Sequence, residues 1–222
     1  MDDAITDRKR ALYEEVADTY AEWLPDTSFE AGIDLALIRD LVEQFAAQAP
    51  DGRVEVLDAG CGTGRLIPYL RSLGDGVVPT GADLSPAMLA HARAAHPGVE
   101  FVAADLAALP FADGRFDGVV AWYSIIHTPP HALPRVFGEL RRVLRPGGLL
   151  LLAYQAGVGE RVRAGAYGHQ VELLAFLHHT PYVQAALEAA GLAVELTLDR
   201  APRDSRAQER QPQGFVLARR RD

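Results

Sequence analysis

The chain opens on two stretches of helical spacing and then changes period. Between Thr6 and Leu24, apolar residues fall at Ala11, Leu12, Val16, Tyr20 and Trp23, the three-to-four-residue interval of an amphipathic helix. A second such stretch, "LALIRDLVEQFAA", runs from Leu35 to Ala47 and follows Ser28, a residue type suited to capping a helix N-terminus. From Asp51-Gly52 onward, strand-like runs alternate with amphipathic ones: Val54–Leu57, then Arg65–Leu73; Val77–Ala82, then Pro86–Ala95; Val99–Ala103; Phe116–Ala121, then Leu133–Leu144; and Leu149–Tyr154. That alternation predicts βαβ units and a parallel sheet.

Turn residues support these bounds. Ser85-Pro86 supplies a cap and a first-turn proline, and Arg145-Pro146-Gly147-Gly148 reads as a helix end turning into the next strand. Thr180-Pro181 opens a late helix, "PYVQAALEAAGL", with Gly191 as its C-terminal cap, and strands follow at Ala193–Leu198 and Phe215–Ala218. The stretch 156–180 carries four glycines and four histidine or tyrosine residues on a partly helical pattern, and reads as an excursion from the rim of the sheet.

At 222 residues, 49% hydrophobic and 23% charged, the chain has the make-up of one α/β domain spanning 1–222. A formal charge of −8 argues against nucleic acid and anionic membrane as partners, because contact with phosphates calls for a basic footprint. Small molecules are the expected partners. The single cysteine, Cys61, excludes an internal disulfide and offers no cluster for a metal. The first residues hold no cleavable apolar segment, and no run approaches the roughly 18 apolar residues that span a bilayer, so a cytoplasmic location is expected.

The candidate chemistry begins at "VLDAGCGTGRL", Val56 to Leu66. A glycine loop between strand and helix lets a ligand approach the backbone, because no Cβ stands in the way. Gly60, Gly62 and Gly64 give Gly-x-Gly-x-Gly, with Arg65 where a dinucleotide fingerprint would need its third glycine, and no Gly-Lys-Ser/Thr of a phosphate loop follows. Asp58, just ahead of the loop, repels a pyrophosphate but can pair with an ammonium group. Asp83 follows the second strand, where a carboxylate can bridge two ribose hydroxyls. Asp105 follows the third, where it can accept from an exocyclic amine such as that of adenine. Each acid is followed by a leucine, Leu84 and Leu106, suited to wall a flat ring.

These motifs resemble those of the class I S-adenosylmethionine-dependent methyltransferases of the small, metal-independent type. "VLDAGCGTG" resembles the first motif, "GADLSPAML" the acidic second strand end, "AADLAALPFADGRFDGVVAWYSIIH" the third and fourth strand regions, and "LRRVLRPGGLLLLAY" the final core segment. The resemblance implies a Rossmann-like three-layer sandwich with a mostly parallel seven-stranded sheet and an antiparallel last strand. It also implies a division into a helical cap (1–50), a cofactor-binding core (51–155), an acceptor lid (156–180) and a C-terminal helix with strands (181–222). S-adenosyl-L-methionine is the implied cofactor. Asp58, Gly60 and Gly62 would hold its methionine portion, with Cys61 a small backbone contact; Asp83 its ribose; Leu84, Met88 and Leu106 its adenine, with Asp105 on the amine. The backbone at Ala121 and Trp122 would lie under the sulfonium, and Tyr20 would close over the amino-acid end.

A sulfonium is already an activated electrophile, so the protein's main task is to align a nucleophile behind the methyl group. His127, just past the fourth strand, is the candidate general base; the alternatives are that it orients the acceptor, or that it packs before Pro129-Pro130. His178 and His179 are further candidates for the acceptor pocket, as are Tyr13, Trp23, Trp122, Tyr123, Tyr154, Tyr167 and Phe176. The other reading left open is a cofactor-binding cyclase or regulatory module of the same fold.

Overall fold

The computed structural model describes residues 3–46, 52–203 and 209–222. The expected helix end at Ala47 and the change of texture at Asp51 lie outside them. Two helices come first, α1 (Asp3–Trp23) and α2 (Gly32–Ala46). Ser28 does not cap α2. Its N–H donates to Asp26 Oδ1 at 2.8 Å in a separate turn, and α2 starts from the Ala31 carbonyl, which accepts from Asp34 and Leu35.

The alternating region then gives β1 (Val54–Ala59), α3 (Ile67–Ser72), β2 (Val77–Asp83), α4 (Pro86–Ala95), β3 (Glu100–Ala103), β4 (Phe116–Trp122), α5 (Leu133–Val143) and β5 (Leu144–Gln155). A hairpin, β6 (Gly159–Ala166) and β7 (His169–Leu177), precedes α6 (Thr180–Ala189), β8 (Leu192–Arg200) and β9 (Gln213–Arg220). The main sheet has the order β3-β2-β1-β4-β5-β9-β8, and β9 runs antiparallel to both of its neighbours while the other six strands are parallel.

Both faces of this sheet are covered, which is why its central strands read as continuous apolar runs. Val56, Val120, Leu151 and Phe215 pack toward Ile38, Leu41 and Phe45 of α2. Their neighbours Leu57, Val119, Leu152 and Val216 pack toward Val136, Phe137 and Leu140 of α5 and Val183 and Leu187 of α6. Among the described residues, no helix is long and apolar enough to cross a membrane.

Two segments differ from the sequence-based expectation. Arg145–Gly148 belongs to β5 rather than to a turn: the register against β4 jumps from Phe116↔Leu144 to Gly118↔Leu149, a bulge eased by Gly147 at φ +76° and held by an Arg145–Asp117 ion pair. The stretch after Gln155 is an antiparallel hairpin with no helical turn. Its tip is Tyr167-Gly168, at φ +52° and +82°, the pair of positive values that a tight two-residue hairpin requires. Tyrosine seldom adopts that conformation, so the turn left no glycine-asparagine signal in the sequence.

Candidate active site

In a doubly wound sheet, ligands bind beyond the C-terminal strand ends where the winding reverses. Here that point lies between β1 and β4, and a cleft of about 940 Å³ opens there. The loop after β1 forms its floor. Gly60, Gly62 and Gly64 have φ of +85°, +53° and +78°, so three left-handed residues alternate with ordinary ones. Gly60 and Gly62 line the cleft; a Cβ on Gly60 would meet Ser124 Cβ at 2.2 Å. Gly64 faces away, against Ala92 of α4 and His96 just past its end.

Asp83 is held by two backbone donors: Gly62 N–H reaches Oδ2 at 2.8 Å and Ser85 N–H reaches Oδ1 at 2.9 Å. The carboxylate is thereby pinned between the glycine loop and the N-terminus of α4, with each oxygen keeping capacity for a second donor. Burial raises its pKa, and those two hydrogen bonds oppose the rise. Asp58, at the end of β1, is buried outside the cleft lining, and its Oδ2 has no hydrogen-bond partner among the described residues. Burial lifts its pKa to about 7, against the opposing charge of Arg65. An orphaned, buried acceptor two residues before a glycine cradle fits a ligand that brings a cationic donor.

Arg65 is drawn into this network. Its guanidinium pairs with Glu30 at 2.5 Å and hydrogen-bonds Tyr20, contacts that keep it cationic against the effect of burial. Tyr20 lies over Gly62, its Cε1 3.8 Å from where a Cβ would stand, and its ring meets Tyr167 at 5.0 Å. Leu84, Met88, Ala104 and Leu106 wall the side beyond Asp83. Asp105 does not line the cleft: its Oδ1 accepts from Ala107 N–H at 2.9 Å in a tight turn, while both neighbours in sequence face inward. Cys61 and Ala121 are likewise buried outside the lining; burial, aided by Asp58 and Asp83, pushes the Cys61 thiol up, so it stays protonated. Trp122 lines the cleft.

The other end of the cleft is walled by α1, the hairpin and the loop after β4. Tyr13, Trp23, Tyr123, His127 and Tyr167 are part of this wall, whereas Tyr154 and Phe176 are core. The expectation for "FLHHTP" is not met: His178 is buried with Nε2 3.1 Å from Ile125 O, His179 is exposed at the start of α6, and neither borders the cleft. His127 has both ring nitrogens engaged, Nδ1 with Leu174 O at 2.6 Å and Nε2 with Tyr13 Oη at 2.8 Å. Burial lowers its pKa to about 4, with Lys9 adding and the Leu174 carbonyl opposing. Lys9, missed from sequence, faces Asp83 and Asp105 from α1. The signal was present in its spacing: Lys9, Tyr13 and Tyr20 follow one another along one face of the helix.

A fold and cleft of this kind define the class I S-adenosylmethionine-dependent methyltransferases, and the comparisons agree. The family model described as "Methyltransferase domain" matches residues 56–148, and together with the relatives and structural neighbours it supports a class I S-adenosylmethionine-dependent methyltransferase. The chain is 41% identical over 100 residues to a malonyl-[acyl-carrier protein] O-methyltransferase of Pectobacterium atrosepticum, covering 45% of this chain and 38% of that one. It is 37% identical over 145 residues to a demethylmenaquinone methyltransferase of Thermus thermophilus, covering 64% and 63%. The chain thus spans from about two fifths to under two thirds of these relatives' length. Among solved structures, a magnesium protoporphyrin IX methyltransferase from Synechocystis PCC 6803 with bound SAH superposes with a TM-score of 0.67 at 18% identity, covering 97% of this chain and 99% of that one.

Proposed function

We propose that the protein transfers the methyl group of S-adenosyl-L-methionine to a small-molecule acceptor by direct in-line displacement. The observation that carries this reading is Asp58, two residues before the cleft-lining Gly60, whose buried oxygen has no hydrogen-bond partner among the described residues and suits the ammonium of the cofactor's amino-acid end. Asp83 suits the ribose diol, since its two oxygens are fixed by Gly62 and Ser85 and still free to accept. Leu84, Met88 and Leu106 suit the adenine, with Asp105 nearby, and the strand end at Ala121 and Trp122 suits the region below the sulfonium. When bound, the cofactor supplies an electrophilic methyl on sulfur. The chain's own contribution is to hold the acceptor in line and keep water away.

The acceptor wall is the proposed work of α1 and the β6–β7 hairpin. The acceptors in the relatives' names, a malonyl-carrier protein and demethylmenaquinone, belong to those proteins and share no single chemistry. The methyltransferase names themselves weigh against a cyclase or regulatory module. Calorimetry with S-adenosylhomocysteine tests the reading: micromolar or tighter binding is expected, and Asp83→Ala should abolish most of it. Wild-type protein that ignores this ligand but takes a nicotinamide dinucleotide would sink the proposal. Turnover of a labelled methyl donor over an acceptor panel then tests transfer.

A further inference from the structure

Hydrogen-bond polarity around His127 constrains what can sit at the acceptor end of the cleft. The Leu174 carbonyl can only accept, so His127 Nδ1, 2.6 Å away, carries the proton. With its pKa lowered to about 4, the ring is neutral near pH 7, and Nε2 is therefore an acceptor. The Tyr13 hydroxyl, 2.8 Å from Nε2, must donate. Its hydrogen is thereby committed, and Tyr13 Oη turns only lone pairs toward the cleft.

The geometry is over-determined. Phe176 N–H donates to Ile126 O at 2.7 Å and Thr128 N–H to Ile125 O at 2.8 Å, fixing the loop that carries His127 against β7. The tyrosine and imidazole rings meet edge to face at 5.6 Å. The charged and titratable groups that bear on the pair are Lys9, Asp83, Tyr20 and Tyr167. Burial, reinforced by Tyr167, Tyr20 and Asp83, holds the Tyr13 phenol far above its ordinary range, so it keeps its proton.

We propose that the site is built for a neutral amine, which donates N–H to Tyr13 Oη, with Tyr13 the acceptor-contacting residue and His127 its positioning residue. This rests on the methyl-transfer reading above. A carboxylate brings only lone pairs and would face the lone pairs of Oη. A hydroxyl brings a donor, but its proton must leave as the O–C bond forms, and neither Tyr13 nor a weakly basic His127 takes it readily. An amine that reaches the site unprotonated needs no base in the transfer step. Its lone pair forms the N–C bond while the C–S bond breaks and that electron pair returns to sulfur, leaving a neutral thioether. The positive charge passes to nitrogen, and the product ammonium loses its proton to solvent after release.

The test has two arms on the full chain. In the first, ¹⁵N-histidine NMR with and without S-adenosylhomocysteine locates the His127 proton, expected on Nδ1 of a neutral ring at pH 7; a proton on Nε2, or a cationic ring, overturns the inference. In the second, aniline, an amine that is neutral at pH 7, benzyl alcohol and phenylacetate are offered with a labelled methyl donor. Transfer to the amine should exceed transfer to the carboxylate by roughly 10–100-fold. Tyr13→Phe should erase that preference, and His127→Gln should shrink it, while S-adenosylhomocysteine affinity holds within about twofold in both. Preferential methylation of phenylacetate or benzyl alcohol, or no transfer to any of the three probes, overturns the proposal. Failure of wild-type protein to bind S-adenosylhomocysteine would instead overturn the reading on which it rests.

Discussion

Arg200, at the end of β8, grips Asp34 in the first turn of α2 with two hydrogen bonds of 2.9 and 2.7 Å, and both side chains are almost wholly withdrawn from solvent. Glu209 closes on the same guanidinium with two bonds of 2.7 Å. The triad ties α2 to the sheet's far edge and to the approach to β9. Breaking a buried pair from one side strands a charge, so Arg200→Ala should cost about 3–5 kcal/mol. Arg200→Ala with Asp34→Ala should recover part of that loss. Urea denaturation measures both, and a single variant within about 1 kcal/mol of wild type would refute the assignment.

Asp58 sets a proton balance. Its pKa of about 7 lies above that of an unfolded aspartate, so folding takes up a proton between roughly pH 4 and 7. The stability from that protonated form is present at low pH and lost as pH rises through about 7. A cofactor ammonium favours the carboxylate, so binding S-adenosylhomocysteine should release close to one proton at about pH 6 and almost none at about pH 8. Affinity should rise over the same interval. Calorimetry in buffers of different ionisation enthalpy reads the released proton, and Asp58→Asn should abolish the difference between buffers.

The glycines of the loop are not equivalent. Gly60→Ala combines φ +85° with a contact of 2.2 Å to Ser124 Cβ and should cost more than about 2 kcal/mol together with cofactor binding. Gly62→Ala meets only Tyr20 Cε1 at 3.8 Å, so its cost should be near the 1–2 kcal/mol of left-handed strain. Thermal unfolding of the two variants side by side gives the order, and a more damaging Gly62 change would contradict this packing.

A general base titrating near pH 6.5 would make turnover fall as the medium is acidified through that value. Burial has moved His127 to about pH 4, so its charge should leave kcat unaffected from about pH 8 to 5. His127→Asn should keep activity within about tenfold, whereas loss of a true base costs about 10²–10⁴-fold. Saturating kinetics on an identified acceptor would decide between these roles.

Closure over the ligand should be visible in exchange. Leu12, Val16 and Ala17 of α1 pack on Met88, and Val171 and Leu173 of the hairpin join the same cluster. Amides of α1 and of residues 159–177 should gain protection when S-adenosylhomocysteine binds, and unchanged exchange in both would place the wall elsewhere.

The order of strands and helices in the main sheet, the glycine loop and the place of Asp83 at a strand end beside the cleft were legible in the sequence, because local rules govern them. Apolar period separates strand from helix, and a left-handed turn at a ligand's approach admits little but glycine. The hairpin was not legible: its turn rests on a tyrosine at φ +52°, and its pairing is decided by contacts with α1 and the loop after β4. Nor was the state of His127. A histidine after a strand reads as a base, but its protonation depends on a carbonyl 47 positions away and a phenol 114 positions away. The same holds for Arg65, which reads as a missing glycine and becomes, once Glu30 meets it, part of the floor of the cleft. Local propensity acts over a few residues, whereas pKa values and hydrogen-bond polarity are set by whatever the fold brings within about 3 Å, and only the tertiary structure decides that.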